Sequence, residues 1–292
     1  MTALKQPAET LMQQPAARRD RRWMLLIPAL ALLGVFFVYP LLKMLSRSVF
    51  DPTFTLKHYV RFFSDRVYAD VLINTFSTSL LVTLATVLLG YPLAYFVSQL
   101  KPKVAGLIMI IVVVPYFTSV LVRTYAWMVL LGTEGVLNQM LIHLGLVDHP
   151  VKIMYTRTGV LIGMTYILLP YMILALYSVM RGIDTGLMRA AESLGASRLQ
   201  AFWRTFFPLS MPGLASGCLL VFILSLGFFI TPALMGGQHD STFPMLIDSQ
   251  VETYFDWGFA SALATVLLVC TLALFFVYER VVGLKRLFEA KV

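Results

Sequence analysis

Long apolar runs separated by polar segments dominate the pattern of this chain. Six such runs lie at 23–42, 70–98, 104–131, 159–181, 212–235 and 260–283. A helix of about 20 apolar residues crosses the ~30 Å hydrocarbon core of a bilayer, and the short alternating segments typical of a membrane barrel are not seen. The pattern predicts an all-α integral membrane protein in which residues 23–283 form one domain of six transmembrane helices.

The composition agrees with this prediction. Hydrophobic residues make up 59% of the 292 positions and charged residues only 13%, against about 25% charged residues in soluble proteins. Residues 1–22 are polar and carry a cluster of four arginines, so we expect a flexible tail there and a second, short tail at 284–292. The run at 23–42 is too long for a signal-peptide core and should remain as the first membrane helix.

The distribution of basic residues predicts the orientation of these helices. The net charge is +8, but the basic residues flank the apolar runs, which is typical of a topology signal, and nucleic acid is not an expected partner. Fifteen Lys and Arg lie in the two tails and in the segments around Lys101 and Arg189, whereas seven lie in the alternate segments. Both termini and the loop at 182–211 are therefore expected in the cytoplasm.

The stretch 187–212, within and just after that loop, combines a helix-forming pattern with a central glycine and two prolines. Ala190 and Ala191 allow close approach to a helix, and Gly195 can end the helix with a turn of positive φ. From position 198 a second helix is expected, with Leu199, Phe202 and Phe206 on one face. Two short helices around a glycine predict a docking element; the alternative is an amphipathic loop lying on the bilayer surface.

This loop resembles the coupling motif of ABC importer permeases, which reads E-A-A, three residues, G, nine residues, I-x-L-P. Ala190, Ala191, Gly195 and Pro208 occupy matching positions. Arg189, Thr205 and Phe207 depart from the motif, and Glu192 supplies an acid one helical turn after the usual Glu. The resemblance implies type I importer architecture with a cytoplasmic coupling helix that contacts an ATPase through Arg189, Ala190, Ala191, Glu192, Gly195, Ala196 and Pro208.

The resemblance extends over most of the chain to permeases of polyamine (spermidine/putrescine) importers. The stretches that carry it are LGYPLAYFVS (89–98), VPYFTSVLVRTYAW (114–127), LLPYMILALYS (168–178), LMGGQ (234–238) and DWGFASA (256–262), the last departing at Gly258 and Ala260. It implies a bacterial inner-membrane subunit that pairs with a second permease, as a heterodimer in most of the family, with two ATPase subunits and with a periplasmic substrate-binding protein. Related systems carry aminobutyrate-like amino acids, opines, aminoethylphosphonate or iron, so these substrates remain alternatives.

Catalytic and cofactor motifs are not found in the sequence. There is no G-x-x-x-x-G-K-[ST] and no H-E-x-x-H, the four histidines are scattered, and Cys218 and Cys270 lie in apolar runs where cysteine acts as a small hydrophobic residue. We expect a non-catalytic permease that binds no cofactor, with ATP and Mg²⁺ held by the partner ATPase. Two alternatives from other functional classes are an ion-coupled secondary transporter and a membrane scaffold.

Several residues are candidates for the substrate path. Arg123 is a charge inside a span, so it either faces a cavity or a partner, or lies near the outer interface and snorkels. Pro92, Pro115, Pro170 and Pro232 interrupt spans, as broken helices do at transporter sites. The acidic outward segment could attract a cation or contact the binding protein. The predicted path residues are Arg123, Tyr125, Trp127, Tyr171, Phe228, Phe229, Asp248, Glu252 and Asp256.

Overall fold

The computed structural model describes residues 23–51 and 53–282, and these residues are helical apart from turns, loops and one isolated bridge between Phe50 and Phe54. Both predicted tails lie outside the described residues. The helices of the first half are α1 Trp23–Leu33, α2 Tyr39–Arg47, α3 Lys57–Ser64, α4 Arg66–Ser98, α5 Pro102–Val113, α6 Val120–Leu131 and α7 Val136–His143. Those of the second half are α8 Arg157–Met180, α9 Gly186–Ser193, α10 Arg198–Ala201, α11 Phe207–Leu226, α12 Ile230–Met235, α13 Phe243–Glu252 and α14 Trp257–Val282.

Within the part of the chain that the structure describes, six helical stretches are long and apolar enough to cross a membrane, which confirms the predicted number. They are Leu26–Arg47, Arg66–Ser98, Val120–His143, Arg157–Met180, Arg198–Leu226 and Trp257–Arg280. The third predicted span, 104–131, is divided at Pro115, one of the four prolines expected to interrupt spans, and the stretch long enough to cross is Val120–His143. A 3₁₀ turn at Val114–Phe117 ends α5, and α6 starts only at Val120, because Pro115 lacks an N–H and Thr118 is extended, with ψ of 143°.

The prolines have two different effects on the long helices. Pro92 and Pro170 lie inside α4 and α8, which continue through them, so the prediction that they interrupt spans is wrong. Pro40 and Pro208 each follow a π turn, at Gly34–Val38 and Phe202–Phe206. In both turns the residue before the proline donates its N–H to the carbonyl five positions back, and the wider turn accommodates a residue that cannot donate.

The centre of the bundle is formed by α4, α8 and α11, which pack against one another. A Cβ atom added at Gly217 of α11 would lie 2.8 Å from the Sδ of Met172 on α8. A Cβ added at Gly213 would lie 2.9 Å from the Cβ of Val179. Small residues therefore bring α11 close to α8, as is usual between membrane helices, and Met164, Leu168, Met172, Leu176 and Met180 are buried around this contact.

The bundle has two ends, which are named here after one residue each. The Gly195 end comprises residues 98–103 and 181–206, and the Asp256 end comprises 48–66, 132–157 and 236–257. A smaller apolar cluster of Phe62, Phe243 and Phe259 joins α3, α13 and α14 at the Asp256 end. The first long helix lies at the periphery, where α2 packs against α14, and its Leu26–Arg47 stretch leaves its apolar side chains exposed.

Candidate functional site

The loop at the Gly195 end consists of α9, a tight turn and α10. Gly195 has φ of +91°, a conformation that costs residues with a Cβ about 1–2 kcal/mol. Its N–H donates to the carbonyl of Glu192 at 3.0 Å, and the N–H of Ala196 donates to the carbonyl of Ala191 at 3.1 Å. These two bonds close the carboxyl end of α9, and the predicted positive-φ turn at Gly195 is confirmed.

The second helix of the loop starts with a capping box. The backbone N–H of Gln200 donates to Ser197 Oγ at 3.3 Å, and the backbone N–H of Ser197 donates to the side chain of Gln200 at 3.0 Å. From Arg198 the chain remains helical through the π turn and α11 to Leu226. Because no break separates them, α10 and the long central helix α11 form one continuous helical element.

The loop is anchored to the bundle by aromatic side chains. Phe206 is fully buried, and its ring centroid lies 4.8 Å from that of Tyr95 on α4. Phe202 packs on the same tyrosine at 5.3 Å, and the Arg181 side chain donates to the carbonyls of Ser98 and Leu100, both at 2.9 Å. The inner face of the loop is therefore well packed.

The outer face of the loop presents apolar side chains to its surroundings. Leu194 is 90% exposed, Leu199 68% and Trp203 54%. Leu199 was expected on the face of Phe202 and Phe206, but its side chain is exposed, whereas Phe202 is half-buried and Phe206 is buried. Of the predicted coupling residues, Arg189, Ala190, Glu192, Gly195 and Pro208 are exposed, and Ala191 and Ala196 are half-buried. An exposed apolar patch of this kind marks an interaction surface.

Three charged side chains lie close to the Gly195 turn: one acid, Glu192, and two bases, Arg189 and Arg198. Glu192 Oε1 lies 3.9 Å from Arg198 Nε, a loose ion pair in which the Arg198 side chain is 93% exposed. Arg189 is exposed on α9. The carboxylate of Glu192 therefore remains accessible at the surface that carries Leu194.

A cavity of about 370 Å³ lies where two helices are broken. One break separates α5 from α6 at Thr118 and Ser119, and the other separates α11 from α12 at 227–229. The cavity is lined by Tyr116, Phe117, Thr118, Ser119, Val120, Arg123, Ile167, Leu168, Tyr171, Leu224 and Phe228. Broken helices expose backbone groups that are otherwise bonded within the helix, so they can contact a polar solute inside a membrane.

Arg123 is the charged group of this cavity. It is 7% exposed, its Nε has no hydrogen-bond partner, and no acid within the described residues forms an ion pair with it. The amino-terminal end of α6 also opens on the cavity, with no side-chain cap from Ser119. Both features make the local potential positive, so the cavity attracts a carboxylate, a phosphonate or an acidic side chain.

The segments beyond the two breaks are joined to each other. The hydroxyls of Thr124 on α6 and Thr231 on α12 are 3.1 Å apart and both side chains are buried. A Cβ on Gly163 of α8 would lie 2.8 Å from the Sδ of Met235, so α12 lies directly on α8. The side of the cavity beside Arg123 is therefore formed by closely packed helices, with α12 in contact with both α6 and α8.

The structure divides the predicted path residues into three groups. Arg123, Tyr171 and Phe228 line the cavity, and Phe229 follows at the break. Tyr125 is 53% exposed away from it, and Trp127 packs against Tyr166 at 5.2 Å. Asp248, Glu252 and Asp256 lie at the other end of the bundle: the first two are exposed on α13, and Asp256 accepts from Arg61 at 3.1 Å and from the N–H of Phe259 at 2.9 Å.

Three polar residues that line the cavity, Tyr116, Thr118 and Ser119, were not among the predicted path residues. Tyr116 packs edge-on against Tyr171 with centroids 5.4 Å apart, and Thr118 and Ser119 form the break. The signal that could have found them is the run Pro-Tyr-Phe-Thr-Ser, which places a proline and two hydroxyl residues just before a charge in an apolar segment.

Sequence and structure comparisons identify what this arrangement resembles. Residues 67–285 match the family "Binding-protein-dependent transport system inner membrane component". The spermidine/putrescine transport system permease protein PotB of Escherichia coli K12 is 38% identical over 261 residues, which cover 88% of this chain and 93% of PotB. PotB of Haemophilus influenzae is 38% identical over 255 residues and 87% of each chain.

A solved bacterial ABC transporter involved in the import of the acidic polysaccharide alginate shares the fold. It superimposes with a TM-score of 0.75 at 20% identity, over 90% of this chain and 96% of the matched chain. At this identity the similarity supports the overall fold alone. The chain therefore belongs to the binding-protein-dependent transport system inner membrane components, the permease subunits of ABC importers, and it resembles the spermidine/putrescine permeases among them.

Proposed function

We propose that this chain is a permease subunit of an ATP-driven importer that moves polyamines such as putrescine and spermidine into the cytoplasm. The observation that carries the transport role is the uninterrupted helix from the exposed loop to the cavity. The substrate rests on the similarity to permeases whose names specify spermidine and putrescine, at 38% identity over nearly the whole chain.

The Gly195 end is assigned to the cytoplasm, on the basis of the excess of Lys and Arg at that end and in the tails. Its exposed leucines and Trp203 are the docking surface for an ATPase subunit. Two such ATPase subunits bind ATP and Mg²⁺, and this chain binds neither. The Asp256 end faces the periplasm, where a substrate-binding protein delivers the solute, and a second related permease completes the path in the inner membrane.

Alternating access then follows from the way in which the loop is attached. When ATP draws the ATPase subunits together, each moves the loop docked on it. Since α11 continues from that loop to the break at Gly227, the motion reaches the cavity wall at Phe228. ATP shifts the equilibrium only if it binds the outward-open arrangement more tightly than the inward-open one, and hydrolysis restores the latter.

Arg123 favours a second candidate substrate class. A buried cation without a partner in the described residues repels a polyamine and attracts a carboxylate or phosphonate. Solutes that carry both an amine and an acid, such as aminobutyrate or aminoethylphosphonate, would satisfy this arginine. With a polyamine as substrate, the counter-charge of Arg123 must instead come from the second permease.

The test is substrate-stimulated ATP hydrolysis by the complete complex in lipid vesicles, with loaded binding protein. Putrescine and spermidine are expected to stimulate hydrolysis, and aminobutyrate is expected not to. Stimulation by aminobutyrate alone would reject the polyamine proposal. In that case the Arg123→Gln variant should lose the stimulation by at least about tenfold, which corresponds to ~1.4 kcal/mol of lost interaction. Arg157→Gln, an exposed arginine outside the cavity, is the matched control.

A further inference from the structure

A cluster of metal-ligating side chains lies at the Asp256 end, away from both the loop and the cavity. Asp51, His58 and Asp256 each offer one ligand atom, and these atoms all lie within 4.8 Å of one another. Asp51 and His58 belong to the segment between the first two long helices, whereas Asp256 directly precedes the last long helix α14. The cluster therefore joins parts of the chain about 200 positions apart.

His58 is the buried member of the cluster. It is 3% exposed, and its Nε2 lies 3.3 Å from Asp51 Oδ2. This distance is long for a charge-assisted hydrogen bond, which is usually about 2.7–2.9 Å. It equals the separation of about 3.3 Å between two ligand atoms that a tetrahedral Zn²⁺ holds at about 2.0–2.1 Å. The two atoms are therefore close enough for one metal ion to bind both, and the Asp256 oxygen lies within 4.8 Å of them.

Gly258 keeps the space beside the cluster open. A Cβ atom at this position would lie 2.5 Å from His58 Nε2 and would also collide with Asp51 Oδ2. Every residue type other than glycine would therefore displace the two ligand atoms. Glycine at the start of α14 allows the backbone of that helix to lie directly against the imidazole and the carboxylate.

Arg61 would compete with a bound metal for the Asp256 carboxylate, but its guanidinium also makes a second contact, with an aromatic ring. Its guanidinium donates to Asp256 Oδ2 at 3.1 Å, and its Cζ lies 4.1 Å from the ring centroid of Phe259. The cation–π contact with Phe259 can retain the arginine when a metal takes over the Asp256 oxygen. Lys57 lies beside the same opening, so a bound cation must displace or tolerate two nearby positive charges.

We infer that Asp51, His58 and Asp256 form a zinc-type divalent-cation site that clamps the start of the last long helix to the segment around His58. One imidazole nitrogen and two carboxylate oxygens are a ligand set that suits Zn²⁺ or a similar transition metal, with a fourth position left for water. Mg²⁺ and Ca²⁺ prefer six or more oxygen ligands and bind this set poorly. The inference does not depend on the identity of the transported solute.

The test is Zn²⁺ binding to the full-length, untagged chain in its complete complex, without ATP. Metal content per permease is measured after equilibration with Zn²⁺, and Co²⁺ is used as a probe because tetrahedral Co²⁺ absorbs visible light. The wild-type complex should hold one more Zn²⁺ than the His58→Asn variant. The affinity should fall at least about tenfold in His58→Asn and in the isosteric Asp51→Asn, and excess Mg²⁺ should not displace the metal.

His149→Asn is the matched control, since His149 is exposed in another segment at the same end. It should bind Zn²⁺ as the wild type does. Equal metal content in the wild type and in both cluster variants would overturn the proposal, and so would an equal loss in His149→Asn. Asp51→Asn preserves the shape of the side chain, so the result does not rest on the folding of the His58 variant alone.

Arg61→Gln is expected to change the Zn²⁺ affinity in the opposite direction from the two cluster variants. Removal of the competing guanidinium frees Asp256 Oδ2 and should tighten Zn²⁺ binding by several-fold. If the cluster were only an ion-paired contact, this variant would loosen the Asp256 end and bind no Zn²⁺. Weaker binding in Arg61→Gln than in the wild type would therefore contradict the proposed coordination by Asp256.

Discussion

The two ends of the helix bundle are built from different kinds of contact. At the Gly195 end, the bonds that shape the turn connect near neighbours, such as Ser197 with Gln200. At the Asp256 end, side chains connect distant elements: Arg61 bonds to Asp256, and the backbone N–H of Phe243 donates to Thr75 at 2.8 Å. The turn at Gly195 is thus closed by local bonds, while Arg181 and Phe206 tie the rest of its loop to the bundle, whereas the segment just before α14 is itself held by a distant side chain.

The strongest test of this contrast is a charge placed on the Gly195 turn. Gly195→Asp should reduce transport and substrate-stimulated ATP hydrolysis at least about tenfold, because it strains a turn of φ +91° and places a charge in the docking surface. Gly145→Asp is the matched control: this glycine also has positive φ, +67°, and open space around it, but lies at the other end. Equal losses in both variants would show that backbone strain, and not docking, is responsible.

A smaller effect, on stability, is expected from Asp256, whose side chain caps the first turn of α14. Asp256→Ala removes the acceptor of the Phe259 N–H and the partner of Arg61, so the free energy of unfolding should fall by about 1–2 kcal/mol. Asp248→Ala, on the exposed side of α13, should change it by less than about 0.5 kcal/mol. Chemical unfolding in detergent measures both. If Asp248→Ala alone abolished polyamine stimulation, the outward acids would belong to the substrate path after all.

The hydrogen bond between Thr124 and Thr231 should contribute less to the free energy of unfolding than the contacts of Asp256 do. Thr124→Val and Thr231→Val, alone and combined, form a double-mutant cycle for the 3.1 Å contact between α6 and α12. Hydrogen bonds between membrane helices average about 0.6 kcal/mol in such cycles, so a coupling free energy near this value is expected. A value near zero would mean that apolar packing alone joins α6 to α12.

The smallest effect is expected at the loose ion pair of the loop. Glu192→Gln and Arg198→Gln should show a coupling of at most about 0.5 kcal/mol in unfolding, because the charges are 3.9 Å apart and one is 93% exposed. Transport is the more sensitive measurement here. If Glu192 takes over the role of the usual motif Glu, Glu192→Gln should lower coupled ATP hydrolysis while leaving stability unchanged, and Arg198→Gln should not.

Sequence reasoning succeeded where the signal was local. The number of long apolar helices and the positive-φ turn at Gly195 follow from hydrophobic length and from one residue type, and both are confirmed. It failed for the bounds of the third span, because hydropathy does not register that the extended residue Thr118 separates α5 from the crossing stretch Val120–His143. It also failed for Leu199, which is exposed while Phe206 is buried, because periodicity alone does not show which positions the neighbouring helices cover.

Hydrophobic length, capping residues and glycine act over a few positions, so the membrane-spanning architecture and the presence of the loop could be predicted from the residues alone. Three arrangements became visible only in the fold: the two helix breaks meet at one cavity, Arg123 lines it without a partner among the described residues, and Asp51 and His58 lie beside Asp256. These arrangements depend on the packing of helices far apart in the chain, and small residues such as Gly217 and Gly258 set how closely they approach.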